Sequence, residues 1–214
     1  MGRLVACAAM SVIALGCGRG PEAPDVSDGL DAVDAIDATD GGCAITGRDS
    51  ATPGVTLTIG TGREATLDGF RALVQGDDVW LAPGTQGLQH FLVSYRATGI
   101  NRQLVLLQAR AVRASDCVDV GFLRTRLSWG TDPVDPSVVG VPALPVVISD
   151  DNDRFEYCTL LGNDVVLIID IDDANGHTAH RELRLHAAGI DPMARPDQRD
   201  AWLLACARAD AGRM

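Results

Sequence analysis

The chain has 214 residues and a formal charge of −11, and all 18 of its basic residues are arginine. An acidic surface can neither neutralise phosphates nor release counterions from them, which excludes nucleic-acid binding. Without lysine there is no Schiff-base chemistry and no P-loop cation. The length supports one good core, and abundant Val, Leu, Ile, Thr and Gly with few helical stretches point to a single all-β domain.

The first elements, in chain order, are an export label and a tether. Arg3 supplies a short basic start, Leu4 to Leu15 is an apolar run broken by Ser11, and Ala14-Leu15-Gly16-Cys17 closes it with small residues. About a dozen apolar residues are too few to span a bilayer as a helix, and the layout is that of a secretory signal over residues 1–16. The Ala14-Leu15-Gly16-Cys17 stretch resembles the lipobox of bacterial lipoproteins, with Ala14 where Leu, Val or Ile is usual. The resemblance implies that Cys17 is diacylated and becomes the first residue, so that the partner of this end of the chain is a membrane. Gly18 stands where an Asp would mark inner-membrane retention in that family, which implies an outer-membrane location.

Residues 17–42 follow as a linker. Asp25, Asp28, Asp31, Asp34, Asp37 and Asp40 recur at every third position among Ala, Val and Ile. Like charges at this spacing repel across a helix turn, whereas in polyproline II they line one edge of an extended, hydrated strand. Low hydrophobicity with charge of one sign predicts a disordered tether, which fully extended would reach roughly 75 Å.

Cys43 opens the folded part, residues 43–214. Cys43, Cys117, Cys158 and Cys206 are an even set in an exported chain and predict two disulfides, with three pairings open. The expected pairing is Cys117 with Cys158, tying two strands, and Cys43 with Cys206, tying the chain ends. No CxxC or Cys/His pair stands at zinc-ligand spacing.

Strands are predicted at Val55–Ile59, Phe70–Val74 and Val79–Leu81, the last entered by a turn at Gly76-Asp77-Asp78. Pro83–Gly87 reads as a loop. His90–Arg96 alternates, with Phe91, Val93 and Tyr95 on one face. Leu104–Ala111 and Leu123–Trp129 repeat the pattern, the latter sending Arg124 and Arg126 to the outer side. Four prolines between 131 and 145 predict a loop or a sheet edge, never a central strand. Val165, Leu167, Ile169 and Ile171 alternate, Asp172–Gly176 turns, and Arg181, Leu183 and Leu185 return, which predicts a closing hairpin. Asp197 is expected to cap a short helix running to Ala209. Short strands separated by turns, without helices between them, favour an Ig-like antiparallel β-sandwich.

Two further resemblances concern the folded part. The stretch from Phe70 through Asp77-Asp78-Val79-Trp80-Leu81 to Gly84-Thr85-Gln86-Gly87-Leu88-Gln89-His90 resembles a segment of predicted lipoproteins of myxobacteria, from whose loop pattern Thr85 and Leu88 depart. The final hairpin is similar to the end of many bacterial Ig-like domains. These resemblances imply a fold and a location, and no activity.

Candidate chemistry is sparse. There is no Gly-x-Ser-x-Gly elbow. Asp170, Asp172, Asp173 and Asn175 crowd one turn and Ser149–Asp153 forms a second acidic loop, oxygen-rich chemistry that suits Ca²⁺, although Ile171 breaks the EF-hand pattern at its first ligand. His177, His180 and His186 lie close in sequence, a set that copper or zinc would use, but Arg184 between the last two disfavours a cation. His90 is expected to brace the Gly84–Gly87 loop, and Trp80, Trp129 and Trp202 are expected to pack rather than to stack on sugars. The function expected is an envelope-anchored lipoprotein acting as a non-catalytic binding or structural module for a protein or glycan. The competing class is a Ca²⁺-dependent extracytoplasmic hydrolase.

Overall fold

Strands that alternate apolar and polar residues bury one face, and a sheet of such strands can either pair with a second sheet or close on itself. A computed structural model describes residues 43, 49–61, 69–84, 88–132, 135–148 and 156–211 and shows closure. The signal run, Cys17 and the acidic tether lie outside the described residues.

Among the described residues, ten strands and two helices follow in chain order. They are β1 (Ser50–Ala51), β2 (Thr56–Thr61), β3 (Asp78–Pro83), β4 (Gln89–Thr98), β5 (Val105–Arg113), β6 (Val118–Leu127), β7 (Gly130–Thr131) and β8 (Val138–Ile148), then α1 (Glu156–Leu160), β9 (Asp164–Asp172), β10 (Thr178–Ile190) and α2 (Pro196–Ala211). Pairing runs β4-β3-β10-β9-β5-β6-β8 and returns to β4, a closed barrel of seven strands. Among the described residues, only β3 and β10 pair in parallel. One side of β4 is shared, its start pairing with β3 and its end with β2, and β1 pairs with the start of β10.

The expected Ig-like sandwich is therefore corrected to a barrel. Alternation is common to both, because each has one wet and one dry face. The deciding element is β8, which was expected to be loop or edge. It carries Pro142 and Pro145 and nevertheless pairs with β4 from His90–Val147 to Thr98–Val138. The register shifts between Val93 and Tyr95, Ala143 takes a left-handed φ of 50°, and its N–H donates to Ser94 Oγ at 3.0 Å. On its other side, β8 meets β6 only at Gly121 and Phe122, and β7 only at Gly130 and Thr131. The two prolines thus sit at a bulge and where only one neighbour needs donors, the positions a strand proline tolerates.

The barrel is filled. Leu81, Phe91, Tyr95, Leu107, Val165, Leu167, Ile169 and Leu185 point inward with at most 1% of their surface exposed. Each such aliphatic side chain contributes about 1.5–3 kcal/mol by leaving water. Trp129 packs against Tyr95 with ring centroids 6.4 Å apart. The Phe70–Val74 stretch does not form the expected strand and touches β2 through a single bridge, Ala72 to Gly60. The predicted closing hairpin, β9 and β10, is found, but it lies within the barrel wall between β5 and β3.

The disulfides form with a different pairing. Cys43 joins Cys117 and Cys158 joins Cys206. The expected partners assumed Cys117 and Cys158 on strands. Instead Cys117 ends the β5–β6 turn at a φ of 62°, and Cys158 sits on α1, a helix of five residues whose pattern is too short to read. Cys43 and Cys117 pack with Val112, Ala114, Val166 and Ile168 as a second apolar cluster. On β9, Val166 and Ile168 alternate with the inward residues, so this cluster lies on the outside of the wall. The second disulfide ties α1 to α2, where Tyr157 meets Trp202 with centroids 5.6 Å apart. Helix α2 begins earlier than expected. Pro196 takes its first position, and the Arg195 carbonyl accepts from Gln198 and Arg199 N–H. Asp197 is therefore inside the first turn, where its charge meets the helix dipole, and is not the cap.

Candidate functional site

The Asp172–Gly176 turn was expected to gather cation ligands, and its parts separate in the fold. Asp173 is buried and serves the backbone. Its Oδ1 accepts from Asn175 and His177 N–H at 2.8 and 2.9 Å, and its Oδ2 accepts from Asn101 N–H at 2.6 Å and meets His177 Nδ1 at 2.9 Å. Burial alone would raise its pKa, but the Asn101 and His177 N–H groups, the His177 ring and the Asn175 N–H outweigh that and bring it to about 2. The turn closes with Gly176 at a φ of 79°, a left-handed position that suits glycine. Asn175 does not adopt the positive φ that a two-residue Asn-Gly turn would need.

Asp170 and Asp172 are two apart on β9 and point outward, away from Ile169 and Ile171. Asp170 Oδ1 meets His180 Nδ1 at 2.7 Å, and His180 Nε2 meets Glu182 Oε1 at 3.1 Å. The imidazole is held between two carboxylates. Burial works against its charged form, but hydrogen bonds and charge from Asp170 and Glu182 prevail and raise its pKa above the ordinary 6.5. With both ring nitrogens engaged, His180 offers no lone pair to a metal. His177 is engaged by Asp173 and His186 by Asp164, the latter at 3.4 Å. Arg184, expected to repel a cation here, binds Asp164 through Nε at 2.8 Å. Among the described residues no group of three His, Cys, Asp or Glu side chains could hold a metal ion. The acidic loop at Ser149–Asp153 lies outside the described residues.

The His180 clamp has a pH signature. A raised folded-state pKa means stability fully present below the unfolded value and lost as pH rises through the folded one. The His180 ring should thus titrate above 6.5 by NMR, and His180→Gln should lose the part of the wild-type pH dependence that appears on the alkaline side. A ring titrating at or below 6.5 would contradict the clamp.

Ser50 stands opposite His180 in the β1–β10 register, so Ser, His and Asp lie in one cross-strand row. The order suggests a hydroxyl nucleophile with its base, but Glu182 holds Nε2, the atom that would take the Ser50 proton. What the row does offer is a polar groove of about 460 Å³, lined by Ser50, Leu106, Gln108, Asp170, Asp172 and Thr178 with His180. Sequence reasoning singled out His180 and saw the acidic turn. It missed Ser50 and Gln108, because nothing local tells which residues of β1 and β5 face β10 and β9.

The other expected positions are packing residues. His90 is half-buried on β4, with its pKa lowered by burial, and the Gly84 backbone lies against its ring, so close that a Cβ there would come within 3.2 Å of it. Gly84 N–H also donates to the Leu88 carbonyl at 2.7 Å, so the described part of this loop does pack on His90. Trp129 is core, Trp202 packs on Tyr157, and the Trp80 ring lies on Gly189.

The two disulfides suit an oxidising, extracytoplasmic compartment. No helix among the described residues is long and apolar enough to cross a membrane. Comparison of the chain with models of known protein families and with curated proteins finds no match.

Proposed function

We propose that the chain is an envelope-anchored lipoprotein of the outer membrane, held by acylated Cys17, with its barrel acting as a non-catalytic binding or structural module. The observation that carries the reading is the pair of disulfides, which belong to the compartment that the opening apolar run addresses. The tether between Cys17 and Cys43 would let the barrel stand away from the bilayer, and the polar groove on the outer wall is its ligand-facing surface. The resemblance of Phe70–His90 to myxobacterial lipoproteins supports the same location.

Radiolabelled palmitate fed to a Gram-negative host expressing the whole chain tests the anchor. Label should enter the protein, which should sediment with outer membranes, and Cys17→Ser should abolish both. Unlabelled wild-type protein recovered in the soluble fraction would reject the anchor.

A further inference from the structure

The cross-strand register sets the residues of the outer wall in rows. One row reads Asp170 on β9, Gln108 on β5 and Arg124 on β6, and the next reads Asp172, Leu106 and Arg126. All project outward, because the residues alternating with them (Leu107, Ala109, Ile169 and Ile171) fill the core. In each row the carboxylate stands one strand from β5 on one side and the guanidinium one strand from it on the other. The wall is thereby divided by charge along the line of β5.

These charges are not spent within the chain. Among the described residues, Asp172, Arg124 and Arg126 make no side-chain hydrogen bond or ion pair. Two exposed arginines without a carboxylate partner are unexpected where acids outnumber bases by 29 to 18. The polar groove lies on the acidic side, and neither arginine lines it. On β5 itself Leu106 is half-buried, and Leu104, two residues before it, is 57% exposed.

A two-fold axis laid along β5 at the surface of the wall carries this pattern onto itself with the charges exchanged. It sets β9 of one copy on β6 of the other, and β5 on β5. Asp172 then faces Arg126 of the second copy, Asp170 faces Arg124 of the second copy, and Leu106 meets its own counterpart. Each charged contact occurs twice, as an isologous interface requires. An apolar line flanked by charge pairs also has the layout of a protein interface, with an apolar centre and a polar rim. An axis laid across the strands would instead set β6 on β6 and oppose arginine to arginine, which is repulsive. The matched rows end at Arg110, which the axis along β5 places against its own copy; its bridge to Asp119 at 3.6 Å lowers that repulsion.

We propose that the barrel pairs with a second copy of the chain through this wall, the groove over β9 receiving Arg124 and Arg126 of the second copy. The proposal rests on the reading of the barrel as a binding module and names the partner that its groove takes.

The test is disulfide trapping of the whole chain in a Gram-negative host, scored on non-reducing gels in membrane and soluble fractions alike. Leu106→Cys puts a thiol on the axis, where it meets its counterpart, and should give a covalent dimer. Thr56→Cys puts an equally new thiol on exposed β2, which pairs with β4 across the barrel from β5, and should not. Added to Leu106→Cys, either Asp172→Arg or Arg126→Asp alone should lower the trapped fraction at least about tenfold, because each sets like charges opposite one another. The two reversals together restore the pairing across the axis and should restore the dimer, with melting temperatures unchanged throughout. Equal trapping at both thiols, no dimer at Leu106→Cys, a cross-link there to a different protein instead, or no rescue by the double reversal would overturn the proposal. None of these results would touch the envelope anchor, which the palmitate label reads separately.

Discussion

Asp173→Ala is expected to destabilise the barrel by about 3 kcal/mol, lowering Tm by roughly 9 °C for a folded part of this size. The mutation removes one carboxylate and orphans three backbone donors, those of Asn101, Asn175 and His177, together with the His177 ring. The Asn101 bond matters most. It spans 72 residues of sequence and pins the β4–β5 connection to the β9–β10 turn. Asn175 and His177 are nearer to solvent and can recover water, which is why the expected loss stays well below three full desolvation penalties. Asp173→Asn should cost less, about 2 kcal/mol, because its carbonyl oxygen can still serve Asn175 and His177 while its amide confronts the Asn101 N–H. A change below about 0.5 kcal/mol for the alanine variant, measured by urea unfolding, would show that the carboxylate does not hold the turn.

The same carboxylate predicts an acid response of definite sign. Its pKa falls from 3.8 to about 2 on folding. A depressed folded-state value contributes stability above the unfolded pKa, and that contribution is lost as pH falls through the folded one. The difference corresponds to about 2 kcal/mol. The stability gap between wild type and Asp173→Asn should therefore be constant above about pH 5 and narrow by about that amount on acidification to pH 2. A gap independent of pH would mean that Asp173 titrates normally and that its hydrogen bonds are weak.

What the residues revealed before folding, and what they hid, follows from the range of each interaction. Phe91, Val93 and Tyr95 could be assigned to one buried face because alternation is a property of a single strand, and Arg124 and Arg126 could be sent outward for the same reason. Closure could not be read this way. It depends on β8 pairing with β4, and Pro142 and Pro145 argued locally against any such strand; the bulge at Val93–Tyr95 and the turned-over Ala143 that make room for them involve another part of the chain. The acidic turn shows the same division. Its composition suits cation ligands and tight turns alike, and the choice for Asp173 is made by an N–H donor 72 residues away. The row joining Ser50, His180, Asp170, Gln108 and Arg124 is a product of register alone. Each residue by itself is an ordinary polar position on a wet face.

The largest effects should come from the disulfides, and the pairing seen here makes a prediction that the alternatives do not. Cys158 and Cys206 close a loop 48 residues apart in sequence, and Cys43 and Cys117 one of 74. On the chain-entropy account, removing either bond gives the unfolded chain freedom equivalent to about 4 kcal/mol. The native consequences should nevertheless differ. Cys43–Cys117 lies on the outside of the wall over Val166 and Ile168, so Cys43→Ala with Cys117→Ala should lower Tm and leave the barrel closed. Cys158–Cys206 joins a five-residue helix to α2, and Trp202 of α2 also packs on Tyr157 of α1. One short helix and one aromatic pair cannot easily offset the ordering entropy of a 16-residue helix. Cys158→Ala with Cys206→Ala should therefore release α2 first, with its amides exchanging fast and Trp202 fluorescence shifting to the red below the global transition. Under the rival pairing of Cys117 with Cys158, neither matched double mutant would leave an intact bond. Each would strand two unpaired thiols, which a thiol count on the two variants reads directly. Two free thiols in either variant would refute the connectivity described here, and none in both, with the stepwise loss of α2, would establish it.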